Sequence, residues 1–343
     1  MMKLKLTRKI TLFLLVLALA AAGALAGEKE LHQAWLAYCQ PALDPASYPM
    51  QVDAHRARQQ AINLALTALQ DKKDAAAFET LGYFYLRDYQ YRNAQEQFES
   101  AAKRDSKEPR LRYLLGQVKA ILLVAEPEKM REKVKESVAE FRRAAALDPN
   151  NAMPLLQAAS VSFDCNCEDL ALPLVSEALR RPEYRLYTLS TPQDLVSDPG
   201  PAALAWWWAQ SELWSEMINR TANCARSLVL RGNHLAVSGQ AEKAAQYYQQ
   251  AAEIGAKLSR ATPALAESVG AGLEVERQAL VAQSGAAATP EQKARLSRIE
   301  AAQQVLGRQW RMLQERERRQ PPASVEERLN NQRAVSEAVL ASL

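Results

Sequence analysis

Histidine is scarce, which already narrows the chemistry: His32, His55 and His234 are the three in 343 residues, and they are scattered. The chain has no HExxH, no GxSxG, no phosphate-binding glycine loop and no dinucleotide fingerprint, so the motif-bearing metalloproteases, hydrolases and nucleotide enzymes are excluded. Close carboxylates such as Glu126 and Glu128 read as solvated helix charges rather than an acid and base pair. Glycine is sparse at 12 residues, and with 48% hydrophobic and 24% charged residues this excludes a collagen-like or low-complexity chain. An excess of one charge is missing too. Lys and Arg number 43 against 39 acids, but Lys3, Lys5, Arg8 and Lys9 precede residue 27 with no acid among them, so the rest is balanced. Nucleic acid is therefore not an expected partner, because phosphate binding needs a net or clustered positive field. No catalytic residue, cofactor or metal ligand is expected.

One long apolar run is present, and it opens the chain. Residues 1–26 pass from a basic segment through an apolar stretch from Ile10 to Ala24-Leu25-Ala26, the form of a secretory signal peptide cleaved before Gly27. The mature protein is expected to be soluble in the periplasm or cell envelope. Membrane contact is expected only if residues 10–26 stay uncleaved as an anchor. Cysteine is limited to Cys39, Cys165, Cys167 and Cys224, which in an oxidising compartment allow three pairings. Asn166 alone separates Cys165 from Cys167, so at least one of them is expected to bond Cys224 or Cys39. A redox or metal role is disfavoured by the lack of CxxC. Asp164, Asn166 and Glu168 begin like a calcium loop but lack its Gly and closing Glu.

The chain repeats. In 75–108, Phe78, Leu81, Gly82, Tyr85, Ala94, Phe98 and Ala101 fall at positions 4, 7, 8, 11, 20, 24 and 27 of a 34-residue unit. This spacing resembles the tetratricopeptide repeat, in which small residues let two helices cross closely beneath large ones. Residues 109–151 form a second unit through Leu115, Gly116, Phe141, Ala144 and Pro149, with extra residues around 124–127 and Pro127 opening the second helix. A degenerate third unit, 152–185, keeps Leu155, Ala158, Ala159, Ala171, Val175 and Ala178. A fourth, 225–258, carries Leu228, Gly232, Leu235, Gly239, Ala244, Tyr248 and Ala251. The resemblance implies an all-α, tetratricopeptide-like right-handed superhelix of antiparallel helix pairs with a concave groove and a C-terminal helical cap. Residues 27–74 are expected to be an N-terminal helical cap, 75–185 three repeats, 186–224 an irregular segment and a Trp-rich helix, and 259–343 a C-terminal helical and coiled-coil region.

In that last region Thr262-Pro263 and Thr289-Pro290 with Gln292 read as helix starts, Pro321-Pro322 as a stop and Ser324 with Glu327 as a capping box. Ile299, Leu306 and Leu313 recur at heptad spacing, with Leu296 and Trp310 beside them, and are expected to pack as an end cap on the helix of 263–283. Arg308, Arg311, Arg316, Arg318 and Arg319, interleaved with Glu315 and Glu317, read as a solvated face.

In proteins resembling this family, first-helix positions 2, 5, 9, 12 and 13 line the groove. That implies Glu79, Tyr83, Arg87, Arg110, Tyr113, Gln117, Arg226 and Asn233 as residues facing a protein or peptide partner. Tyr and Arg suit such a role because they give large contact area or a forked cation at modest entropic cost. The chaperone-tail clamp of the family needs Lys and Asn where this chain has Glu79 and Tyr83, so that subclass is set aside. In 201–218, Leu204, Trp207, Ser211, Trp214 and Ile218 share one helical stripe and read as core. Trp206 and Trp208 remain as a ligand or glycan platform, which defines the alternative function. The reading from sequence is an exported scaffold or adaptor that acts by binding in its groove, not by catalysis.

Overall fold

The computed structural model describes residues 27–38, 51–123, 127–190, 201–284, 289–320 and 325–343. The leader, Cys39, Pro321, Pro322 and Ser324 lie outside these. The fold is all-α and tetratricopeptide-like, with thirteen helices among the described residues. None of those helices is long and apolar enough to cross a membrane. The chain divides into two compact units, Met1–Ser106 with Leu189–Trp208, and Lys107–Thr188 with Ala209–Leu343.

The first unit holds α1 (27–38), α2 (Gln51–Asp71), α3 (Ala75–Arg87) and α4 (Tyr91–Arg104). Asp74 starts α3 by accepting a hydrogen bond from the Ala77 amide at 2.8 Å, removing one of the unpaired donors at the helix start. The α3–α4 hairpin closes on Gly82: a Cβ there would stand 2.8 Å from the Phe98 ring, so the absent side chain is what admits the aromatic. In the α3–α4 turn, Asp88 is buried and accepts from His55 Nδ1 at 2.8 Å, Gln59 Nε2 at 2.5 Å and Gln90 Nε2 at 2.8 Å. Burial pushes its pKa up, but the hydrogen bonds from Gln90, His55 and Arg58 outweigh that, and the carboxyl is held below its ordinary value.

The second unit holds α5 (Pro109–Leu122), a 3₁₀ turn at Pro127–Lys129, α6 (Met130–Leu147), α7 (Met153–Asp164) and α8 (Glu168–Leu179). It continues with most of α9 (Pro201–Val237), then α10 (Ala241–Ser259), α11 (Ala266–Ser284), α12 (Pro290–Arg319) and α13 (Val325–Leu340). Pro127 opens the 3₁₀ turn that leads into α6. The glycine contact recurs: a Cβ on Gly116 would lie 3.0 Å from the Phe141 ring, and one on Gly232 would lie 2.5 Å from that of Tyr248. The turn between paired helices repeats as well. Tyr89, Asn166 and Gly239, all at position 15 of their units, take φ of 63°, 54° and 79°. The next residue donates back five residues each time, Gln90 to Tyr85, Cys167 to Ser162 and Gln240 to Leu235, at 2.8–2.9 Å.

No break separates the Trp-rich stretch from the fourth repeat, because α9 runs unbroken from Pro201 through Val237. Thr262-Pro263 does not start a helix, contrary to the spacing. The Thr262 backbone is extended, donating to Tyr184 O and accepting from the Leu186 amide, and α11 begins only at Ala266. Thr289 does form the expected capping box with Gln292. The heptad stripe packs inward: Ile299 and Ala302 join Val269 and Leu273 of α11 and Val339 of α13, while Leu313 packs with Ala266 and Val335. The helices α10 and α11 cross at Gly255 and Gly272, where a Cβ on Gly272 would stand 2.5 Å from Gly255 O and from the Ser259 amide nitrogen.

Candidate functional site

The family resemblance places a ligand against the first helix of each pair. In the first three pairs those positions are already covered by the chain itself. Tyr83 is 1% exposed, its ring centroid 6.1 Å from those of both Trp35 and Tyr38 on α1. Glu79, also 1% exposed, accepts from the Ser190 hydroxyl at 2.6 Å and from the Ser190 amide at 3.2 Å. Arg87 is half-buried. In the second unit, Arg110 donates to Thr188 O at 2.6 Å, and Tyr113 meets Tyr187 edge-on at 5.6 Å. Gln117 donates to Glu216 of α9 at 2.5 Å. Burial pushes the Tyr113 hydroxyl far above its ordinary pKa, so it stays protonated.

Glu79, Tyr83, Tyr113 and Gln117, expected to face a partner, are therefore interior residues and not an open surface. In the first unit Ser190 covers Glu79, and Trp35 and Tyr38 cover Tyr83; in the second unit α7 is buried on every side. All residues from Met153 to Phe163 are inaccessible, so two layers flank it, and α9 supplies one of them. Gln157 donates to Met217 O at 2.8 Å and to Thr221 at 2.9 Å, and the Tyr184 hydroxyl lies 2.6 Å from that of Thr221. Trp214 and Gln210 both donate to Tyr187 O, at 3.0 and 3.2 Å. Tyr187, Trp214, Glu216 and Thr221 are thus among the residues that cover the second unit's expected groove positions, and no repeat spacing marks them.

The fourth pair differs. The end of α9 presents Asn233 exposed, Arg226 half-exposed, Leu230 at 68% and Val237 at 91% exposure. Arg226 rests on Asn223 at 2.7 Å, and Asn233 accepts from the Tyr248 hydroxyl at 2.7 Å, so both polar groups are held in place on that face. The pair is tied down from behind. Arg231 lies 4.4 Å over the Phe163 ring and donates to Glu168 at 3.2 Å, and Tyr247 donates to the same carboxylate at 2.8 Å.

The Trp platform is closed on one side at least: Trp206 is 6% exposed and Trp207 9%, while the Trp208 side chain lies outside the described residues. Cys165, Cys167 and Cys224 carry free thiols, so no bridge joins these three, and Cys39 is undescribed. Burial raises the pKa of Cys165 and, much further, that of Cys224, which keeps both as thiols. No group of three or more metal-ligating side chains exists among the described residues.

No protein-family model matches the chain, and no curated protein does. Among solved structures it is similar to YrrB, a TPR protein with an unusual peptide-binding site, at 18% identity over 64% of this chain and 86% of that one, with a TM-score of 0.32. The fold assignment rests on the chain's own recurring glycine–aromatic contacts and turns.

Proposed function

We propose that the protein is a non-catalytic scaffold that binds a protein or peptide partner on the fourth repeat, along the face of α9 that carries Arg226, Leu230, Asn233 and Val237. The observation that carries this reading is the exposure of Leu230 and Val237, 68% and 91%, on the one first-helix face that the described chain leaves uncovered. Two aliphatic side chains at helical spacing, flanked by a cation and an amide, suit a helical or extended segment that buries them while pairing its own polar groups. The leader supports a place outside the cytoplasm, in the periplasm or envelope, as an adaptor in complex assembly.

The test is capture from the envelope fraction with the wild-type protein beside Leu230→Glu/Val237→Glu. Both sites are exposed, so circular dichroism and the melting midpoint stay unchanged. Each side chain contributes about 1.5–3 kcal/mol if fully buried by a partner. A specific partner is therefore expected to be lost from the double variant. Equal recovery of that partner on both baits rejects this face as the site.

A further inference from the structure

A second surface is built on α12. The outward side of α12 has a cleft of about 590 Å³ lined by Val305, Arg308, Gln309, Arg311, Met312 and Glu315. A neighbouring cleft of about 230 Å³ shares Gln309 and Met312 and lies where Leu313 and Arg316 meet Asn331, Ala334 and Val335 of α13. Its floor is apolar, with Met312 54% exposed, and its rim is cationic.

The arginines of this rim differ from others in the same region. Arg277 grips Glu274 at 2.8 Å, and Arg295 grips Glu276 at 2.7 Å. Arg308, Arg311 and Arg316 have no carboxylate partner among the described residues, although Glu315 is beside them. The negative end of the helix dipole accounts for cations in the last turn, Arg316, Arg318 and Arg319. It does not account for Arg308 and Arg311, which sit well before it.

We infer that this cleft is a docking site for an acidic amphipathic segment of another protein, whose apolar side chains rest on Val305 and Met312 while its carboxylates pair with Arg308, Arg311 and Arg316. The fork of each guanidinium matches a carboxylate in two-point contact, and a methionine floor adapts to varied apolar shapes. The concavity between α12 and α13 fits a helix or strand better than a flat lipid surface, and the balanced charge of the rest of the chain does not extend the patch into a nucleic-acid track.

The test titrates the whole chain with a fluorescent helical peptide that has Leu on one face and Glu flanking it. Its Gln-for-Glu counterpart, phosphatidylglycerol vesicles and a single-stranded oligonucleotide serve as the other probes. The acidic peptide is expected to bind roughly tenfold more tightly than the Gln peptide, and added salt weakens it. Arg308→Gln/Arg311→Gln/Arg316→Gln removes that preference while leaving the helical signal intact, since all three side chains are exposed. The Leu230→Glu/Val237→Glu variant binds the acidic peptide like the wild type, which separates this site from the fourth-repeat face. Equal binding of the two peptides, no effect of the triple variant, or a preference for vesicles or oligonucleotide overturns the inference.

Discussion

Replacing Gly82 by Ala tests the packing argument most directly. The new Cβ would stand 2.8 Å from Cδ1 and Cε1 of Phe98 and 3.2 Å from Cζ, whereas carbon pairs settle at about 3.5–4.0 Å. The ring has little room to yield, because Phe98 is 0% exposed. Overpacking of this kind costs about 1–3 kcal/mol. Against it stands the helix preference of Ala over Gly, about 1 kcal/mol. The net expectation is a loss of about 0–2 kcal/mol. Gly307, on α12 with nothing within 4 Å of its added Cβ, gives the steric-free control and is expected to gain about 1 kcal/mol. Two compact units make one global unfolding energy ill-defined, so the assay is hydrogen exchange read separately on α3–α4 and on α12. Gly82→Ala speeds exchange in α3 and α4, and Gly307→Ala slows it in α12. A Phe98→Leu background relieves the Gly82→Ala loss in a double-mutant cycle. If Gly82→Ala slows exchange as much as Gly307→Ala does, the glycine is not there to admit the ring.

Tyr89 holds a φ of 63°, the conformation that Asn166 and Gly239 take in the corresponding turns, so Tyr89→Gly should stabilise the α3–α4 hairpin by about 1 kcal/mol; faster hydrogen exchange in α3 and α4 would count against this. The gain is trimmed by loss of the edge-on contact with Tyr91 at 6.3 Å. Glu274 is held at about 2 by hydrogen bonds from Arg277, which outweigh its partial burial, with Gln278 and Gln303 adding to them. A depressed folded pKa contributes stability above the unfolded value, near 4.5, and loses it as the pH falls toward 2. Acid should therefore loosen the α11 segment around Glu274, together with its Gln303 link to α12, between these limits, and Glu274→Gln should flatten that part of the profile in a pH-resolved exchange measurement.

The repeats were legible because their signal is local: a Gly at position 8 and an aromatic at position 24 meet within one hairpin, and the spacing alone states the contact. The covered groove was not legible, because periodicity says which face of α5 is presented and nothing about what lands on it. Tyr187 and Glu216 arrive from far along the chain, out of any repeat register. Two clues existed in the residues. The segment Tyr184, Leu186, Tyr187 and Leu189 is too apolar for a solvated connector, and Met153 to Phe163 has no charged residue on any side, the mark of a helix buried all round. Thr262-Pro263 misled for a related reason: Thr-Pro also suits extended backbone, and the pairing with Tyr184 and Leu186 takes precedence. Tyr89 could not be read at all, since a bulky side chain gives no hint of a left-handed turn.

The single rod of α9 fits two separate sockets in the second unit, with Trp214 and Glu216 in the covered groove and Gly232 under the ring of Tyr248. A helix advances about 1.5 Å and turns about 100° with each residue. One residue added between Glu216 and Gly232 would thus swing the fourth hairpin a quarter turn or more out of its socket. Seven added residues would restore the bearing to within about 20° but carry the hairpin about 10 Å further along the axis, past its contacts with Phe163 and Glu168. The span between the two sockets is therefore a fixed gauge, tolerant of substitution along its solvent side but not of a change in length.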